Sequence, residues 1–264
     1  MKLRIKNFAK IKDADINIDG ITVIAGENNT GKSTVGKILF SLFNSLSNVD
    51  EKILEERLKE IESTNRIIIQ NNTSDIEISR SMVSHSALNI SRRIRIKIKE
   101  TLDIGETISD EKLYEIVKEA ISSWKTITEN KKYDELNNAI EKIYRNTKEI
   151  LNLPEETIVL EIVSRYFNSV FHSQIESLAS SEEAKTEVTL NIKGKDEKLL
   201  FENNYCKELA DNIKIIHKAI YIDNPFVVDE LSMFKYNLIN PMDELLVDLL
   251  TSKSQEGVMD GVIE

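Results

Sequence analysis

Cysteine is nearly missing from this chain. A single Cys206 in 264 residues leaves no internal disulfide to staple a fold and fits a reducing, cytoplasmic setting. The plain reading of that thiol is a buried, inert side chain. Long hydrophobic runs are missing too. No stretch approaches the ~20 apolar residues that span a bilayer, which excludes a membrane partner of that kind. The opening "MKLRIKNF" is polar at alternate positions, unlike a secretory leader. No internal repeat is evident. Basic charge is in deficit, with a formal net charge of −10, and that argues against wholesale coating of nucleic acid. One exception is Arg92, Arg93, Arg95, Lys97 and Lys99, a basic run without an acid among them. It reads as a solvated basic face, with phosphate contact as the alternative.

Several stretches do carry a pattern. "LRIKNF" alternates Leu3 and Ile5 with Arg4 and Lys6, and "DADINID" alternates Ala14, Ile16 and Ile18 with Asp13, Asp15 and Asn17. Period two predicts half-buried strands. Asp19-Gly20 is a two-residue hairpin signal, and the "ITVIA" that follows is apolar enough for a strand buried on both faces. After the glycines, Val35, Ile38, Leu39, Leu42 and Leu46 recur at helical spacing. The expected order is strand, strand, tight turn, buried strand, glycine loop, helix.

Residues 48–185 read as a mainly helical insertion. Leu113, Ile116, Val117, Ala120, Ile121 and Trp124 make one apolar face; Leu136, Ile140, Ile143, Thr147 and Ile150 resume it after Asn130–Lys132. Pro154 with Glu155 and Glu156 opens a further helix. Residues 65–105 stay ambiguous, since "RIRIKIK" alternates like a strand among helical neighbours. Later, "EVTLNIKGKDEKLLFENN" reads as a hairpin turning at Gly194, followed by a short helix over Leu209–Ile213 and a buried strand in "IHKAIYID". The expected ATPase-type lobe is therefore 1–47 with 186–264, and the fold class is α/β: a mixed sheet of N-terminal antiparallel strands plus a buried phosphate-loop strand, interrupted by the helical insertion.

Gly26-Glu27-Asn28-Asn29-Thr30-Gly31-Lys32-Ser33 fits G-x-x-x-x-G-K-[ST] without a gap. The chemistry is specific. Loop N–H groups and a helix N-terminus cradle phosphate oxygens, Lys32 reaches the β- and γ-phosphates, Ser33 places its hydroxyl on Mg²⁺, and Thr34 donates to the α-phosphate. The expected ligand is ATP with Mg²⁺, bound by Gly26, Asn28, Asn29, Thr30, Gly31, Lys32, Ser33 and Thr34. The guanine-reading motif is absent, because Asn130-Lys131-Lys132 is followed by Tyr133 rather than aspartate. A small-molecule kinase would need a basic lid, for which only the 92–99 run qualifies.

"LRIKNFAKIKDADINIDGITVIAGENNTGKST" resembles the N-terminal segment of ABC-type ATPases of the SMC, RecF and OLD-nuclease group. The resemblance covers about the first 45 residues. It implies a first lobe with a mixed sheet, a helical insertion, nucleotide sandwiched between two heads, and roles in DNA repair or phage defence with a nuclease or DNA as partner. The short helical arms depart from SMC coiled coils and are more like the RecF- and OLD-type inserts. Hydrolysis in that group needs a Ser-Gly-rich signature, an acidic pair after a hydrophobic strand, and a histidine. No such signature occurs, and His85, His172 and His217 follow no candidate acid. "KAIYIDNPF" offers Asp223, either as the Mg²⁺ acid with Asn224 in place of a catalytic glutamate, or, as we prefer, in a strand returning from the insertion near the metal-sensing Q-loop. The expectation is an ATPase lobe completed by a second lobe and a homodimeric or second head. The alternative is a nucleotide-sensing scaffold without turnover.

Overall fold

The computed structural model describes residues 1–72, 80–122, 133–176, 185–210, 215 and 218–222. Trp124, Asn130–Lys132, His217, Asp223, Asn224, Pro225 and Pro241 lie outside the described residues. Two compact units divide the chain: Met1–Val49 with Glu156–Glu264, and Asp50–Glu155.

The first unit is built on a five-stranded sheet in the order β2-β1-β3-β4-β5, with every neighbouring pair antiparallel. Its strands are β1 (Lys2–Phe8), β2 (Ile11–Asn17), β3 (Thr186–Ile192), β4 (Lys195–Glu202) and β5 (Tyr205–Ala210). The alternation in β1 and β3 puts Leu3, Ile5, Val188 and Leu190 fully inside, while Arg4 and Lys2 stay out to meet Asp15 of β2. The β3–β4 hairpin turns on Lys193-Gly194, both at positive φ (51° and 83°), the geometry that matches strand twist in two-residue hairpins. Asn203-Asn204 repeats it between β4 and β5 (φ 55° and 62°).

Helix α1 (Lys32–Leu46) and helix α6 (Glu155–Phe171) belong with this sheet. Phe167 of α6 packs on Phe8 and Phe201, with ring centroids 5.9 and 4.8 Å away. Phe40 of α1 packs with Val170. The α6 end is tied to the β4–β5 turn: Asn168 Nδ2 donates to the Asn204 carbonyl at 2.9 Å, and Asn204 Oδ1 accepts from Ile175 N–H at 2.9 Å. These aromatic and turn contacts explain why α6 groups with the sheet, in the compact unit that resumes at Glu156. The helix opened by Pro154 is part of the sheet's core.

The second unit holds α2 (Val49–Asn71), α3 (Arg80–Asp103), α4 (Asp110–Ser122) and α5 (Tyr133–Leu151). The ambiguous "RIRIKIK" lies within α3. Ile94 and Ile98 are fully buried four residues apart while Ile96 is 47% exposed, which is helical spacing and not strand alternation. The core of Ile, Leu, Val and Ala includes one polar layer. Buried Asn65 donates to Thr147 Oγ1 at 2.9 Å, and Asn146 Nδ2 donates to Asn65 Oδ1 at 3.0 Å. The basic run is largely neutralised: Arg95 bridges Glu55 and Glu62 at 2.9 Å each, Lys99 meets Glu55, and Lys97 meets Glu119.

Four local expectations fail over their described residues. "ITVIA" is no strand, the Asp19-Gly20 hairpin does not form, and Ile21 and Val23 are 95% and 83% exposed. An apolar segment becomes a strand only when neighbours take its N–H and C=O groups, and β2 accepts no such neighbour. The sheet is consequently antiparallel and lacks the buried phosphate-loop strand among the described residues. The short helix expected over Leu209–Ile213 does not begin at its described residues, since Leu209 and Ala210 pair with Leu199 and Lys198 as the end of β5, and the rest of it lies outside the described residues. The later "IHKAIYID" is no buried strand over its described residues. Ile215 makes one parallel bridge to Ser47, and Ile220 and Ile222 are exposed. No helix among the described residues is long and apolar enough to cross a membrane.

Candidate functional site

The glycine loop sits where β1, β2 and α1 converge. Gly26 (φ 158°), Asn29 (φ 70°) and Gly31 (φ 92°) bend it, and Gly31 also serves as the N-cap of α1 without a side-chain cap. Gly31 has no room for a side chain: a Cβ there would stand 2.8 Å from Ile11 Cγ1 of β2. The left-handed turn and the close seat on Ile11 together require glycine. Val35 N–H closes the first helical bond, on the Gly31 carbonyl at 3.3 Å. The N–H groups of Lys32, Ser33 and Thr34 precede that bond and have no intrahelical acceptor, and no acid stands in the first turn. The helix therefore offers its positive end to an anion.

Side chains complete the cradle from within. Lys32 Nζ donates to the Gly26 carbonyl at 2.8 Å and also to that of Glu27, folding the ammonium across the loop. Thr30 Oγ1 donates to the Glu27 carbonyl at 2.8 Å. Ser33 is exposed, its hydroxyl open to solvent. The loop residues Gly26, Asn28, Asn29, Thr30, Gly31, Lys32, Ser33 and Thr34 are thus brought together in one exposed turn and helix start. Asp223 lies outside the described residues.

Sequence reasoning missed two supports. Lys10, in the β1–β2 turn, donates to Asn29 Oδ1, and that turn is held by Ala9 N–H donating to the Ile175 carbonyl at 2.6 Å. A lysine two residues beyond "NF" carries no periodic signal that would mark it. The second support is the chain before Asp223. Its described residues run along α1 toward the loop: Asn48 N–H donates to the Ile215 carbonyl at 3.2 Å, Asn44 Nδ2 to the Ala219 carbonyl at 2.7 Å, and Tyr221 lies against Gly36. A Cβ on Gly36 would come within 2.9 Å of the Tyr221 ring. Only the glycine gap in an otherwise bulky helix hinted at it.

Cys206 takes no part in this site. It is buried in β5, its N–H donates to Ser164 Oγ at 2.9 Å, and burial pushes its thiol up to about 12. A thiol so placed stays protonated and inert.

The loop and helix start bring together what a phosphate group needs: N–H groups at the open end of α1, a lysine and an exposed serine. Comparison with known proteins bears on the same residues. No curated protein and no solved structure gives a match to the chain. A family model described as the AAA ATPase domain matches residues 1–227, a span that holds the whole glycine loop, so the chain belongs to the AAA ATPase domain family of nucleotide-binding ATPases.

Proposed function

We propose that this chain is the Mg-ATP-binding first lobe of an ABC-type ATPase of the RecF and OLD kind, with the helical unit as its insertion. The observation that carries this reading is the cradle itself, where Lys32 is folded over the carbonyls of Gly26 and Glu27 at the open start of α1. Lys32, Ser33, Thr34 and the loop N–H groups from Gly26 onward would hold the triphosphate, and Ser33 would take the Mg²⁺. The metal would neutralise phosphate charge there. Asp223 is proposed as the second group on the metal side. Support comes from the run of the chain from Ile215 to Tyr221 toward the loop end of α1.

Hydrolysis is proposed to need a second lobe and a paired head. The uncovered Ile21, Val23 and Ile24 support this, since they are strand-type residues at the base of the loop with no strand beside them. A second lobe would supply those neighbours and turn "ITVIA" into the sheet position its composition suits. Action in a cytoplasmic DNA-repair or phage-defence system, with a nuclease or DNA as partner, follows from the resemblance of residues 3–34. The scaffold reading, in which nucleotide is bound but not turned over, is favoured by the lack of a Ser-Gly signature in the sequence.

ATP titration of the parent and Lys32→Ala tests the cradle; equal affinity for both sinks it. A steady-state ATPase assay on the chain alone then separates the readings. Turnover that survives dilution and is lost in Asp223→Ala would show that no second lobe is needed.

A further inference from the structure

The helical unit carries a second concentration of cations that the nucleotide reading does not use. A cleft of about 230 Å³ opens between α2 and α3, lined by Lys59, Glu62, Ser63, Arg66 and Arg95. Its charges do not balance. Arg95 divides itself between Glu55 and Glu62, Lys99 also takes Glu55, Arg92 reaches Glu62 at only 3.9 Å, and Lys59 meets Glu56 at 3.3 Å. Arg66 has no ion-pair partner among the described residues and is exposed. The lining itself holds three cations, Lys59, Arg66 and Arg95, against the one carboxylate of Glu62.

We propose that this cleft binds phosphate oxygens, independently of the glycine loop. Glu55 and Glu62 fix the Arg95 guanidinium at the cleft wall while occupying only part of its five-donor fork. Arg66 and Lys59 bring further donors to the same opening, from positions one turn or two apart on α2. Such a set suits a tetrahedral dianion or a phosphodiester better than a carboxylate, because several N–H groups converge from different directions. The cleft is smaller than the ~300–1,000 Å³ typical of sites that enclose a whole ligand, so it takes a phosphate group and not a complete nucleotide. The phosphate comes either from a small polyphosphate or from a nucleic-acid backbone lying across α2 and α3.

The test uses the full chain carrying Lys32→Ala, so that the glycine loop is silent. Arginines are labelled with phenylglyoxal and mapped by mass spectrometry, without ligand, with pyrophosphate, and with a short DNA duplex at low salt. Arg66 is expected to be protected, and Arg145, exposed and paired with Glu141 on its own helix, to label equally throughout. Protection by pyrophosphate alone assigns a small-molecule source; protection by the duplex assigns a backbone. If the duplex binds, its affinity should drop about tenfold in Lys59→Gln/Arg66→Gln and its salt slope by about 2. Neither probe protecting Arg66, or the double variant binding both probes like its parent, overturns the proposal.

Discussion

The two compact units share a largely aliphatic interior and differ in what is added to it. The sheet unit sets four aromatic rings, Phe8, Phe167, Phe171 and Phe201, against one another within an otherwise aliphatic interior, and uses positive-φ turns to fix register. The helical unit has an aliphatic interior and admits a polar layer at Asn65 and Thr147, with ion pairs along its surface. The difference shows where specificity comes from. Rings and turns define one sheet register by shape, whereas interchangeable Ile and Leu side chains leave helix register to be set by hydrogen bonds that close in one alignment only.

The largest effect should come from Lys32→Ala. It removes the ammonium that lies on the Gly26 and Glu27 carbonyls and should weaken ATP binding by about two orders of magnitude, on the scale of a charge-assisted contact pair of about 3 kcal/mol. Helical content and thermal unfolding should stay unchanged, checked by calorimetric titration alongside circular dichroism. Phe167→Ala comes next. Removing a fully buried ring that touches three others should cost about 3–5 kcal/mol by chemical denaturation, lost from the sheet unit. Native-state hydrogen exchange should show β1 and β4 exchanging faster while α3 and α4 hold; uniform loss across both units would erase the contrast drawn here.

A smaller penalty is expected at Asn65→Ala, about 1–3 kcal/mol, because Asn146 and Thr147 lose their buried partner. Asn65→Leu combined with Thr147→Val should recover part of that stability, measured in a denaturant series, while permitting more than one helix alignment.

The smallest effect lies at Glu55. Hydrogen bonds and charge from Lys99, then Arg95, hold its carboxyl below the usual carboxylate range. A depressed folded value means the stabilisation is present above the unfolded value near 4.5 and fades as pH falls through the folded one. Glu55→Gln should therefore cost about 0.5 kcal/mol at neutral pH, the screened worth of a half-exposed surface pair. That difference should close in acid, as read from unfolding midpoints across a pH series.

Much of this could be read from the residues. Leu3, Ile5, Val188 and Leu190 announce their faces by strict alternation, Gly194 announces its turn, and the glycine loop announces its ligand class. The illegible parts share a cause, which is that the deciding contact is remote in sequence. "RIRIKIK" alternates, yet α2 and α4 select the four-residue spacing of Ile94 and Ile98. "ITVIA" has strand composition but depends on a neighbour that β2 does not provide. Tyr205–Ala210 became a strand because β4 lay open beside it, with Ser164 accepting the Cys206 N–H. In the candidate site, the loop residues form a recognisable motif because they are consecutive. Lys10 was not, because its role depends on a turn clamped by Ile175.

The grip of Lys32 on its own loop has a consequence for how tightly any phosphate is held. A ligand that draws the ammonium toward itself strips two carbonyl oxygens, on Gly26 and Glu27, of their donor and returns them to water. Binding is then an exchange of acceptors, and the measured affinity is the difference between two grips. On the proposed reading, phosphate and loop carbonyls compete for the same ammonium, and the concentration at which nucleotide would be held is set by how firmly Gly26 and Glu27 keep Lys32.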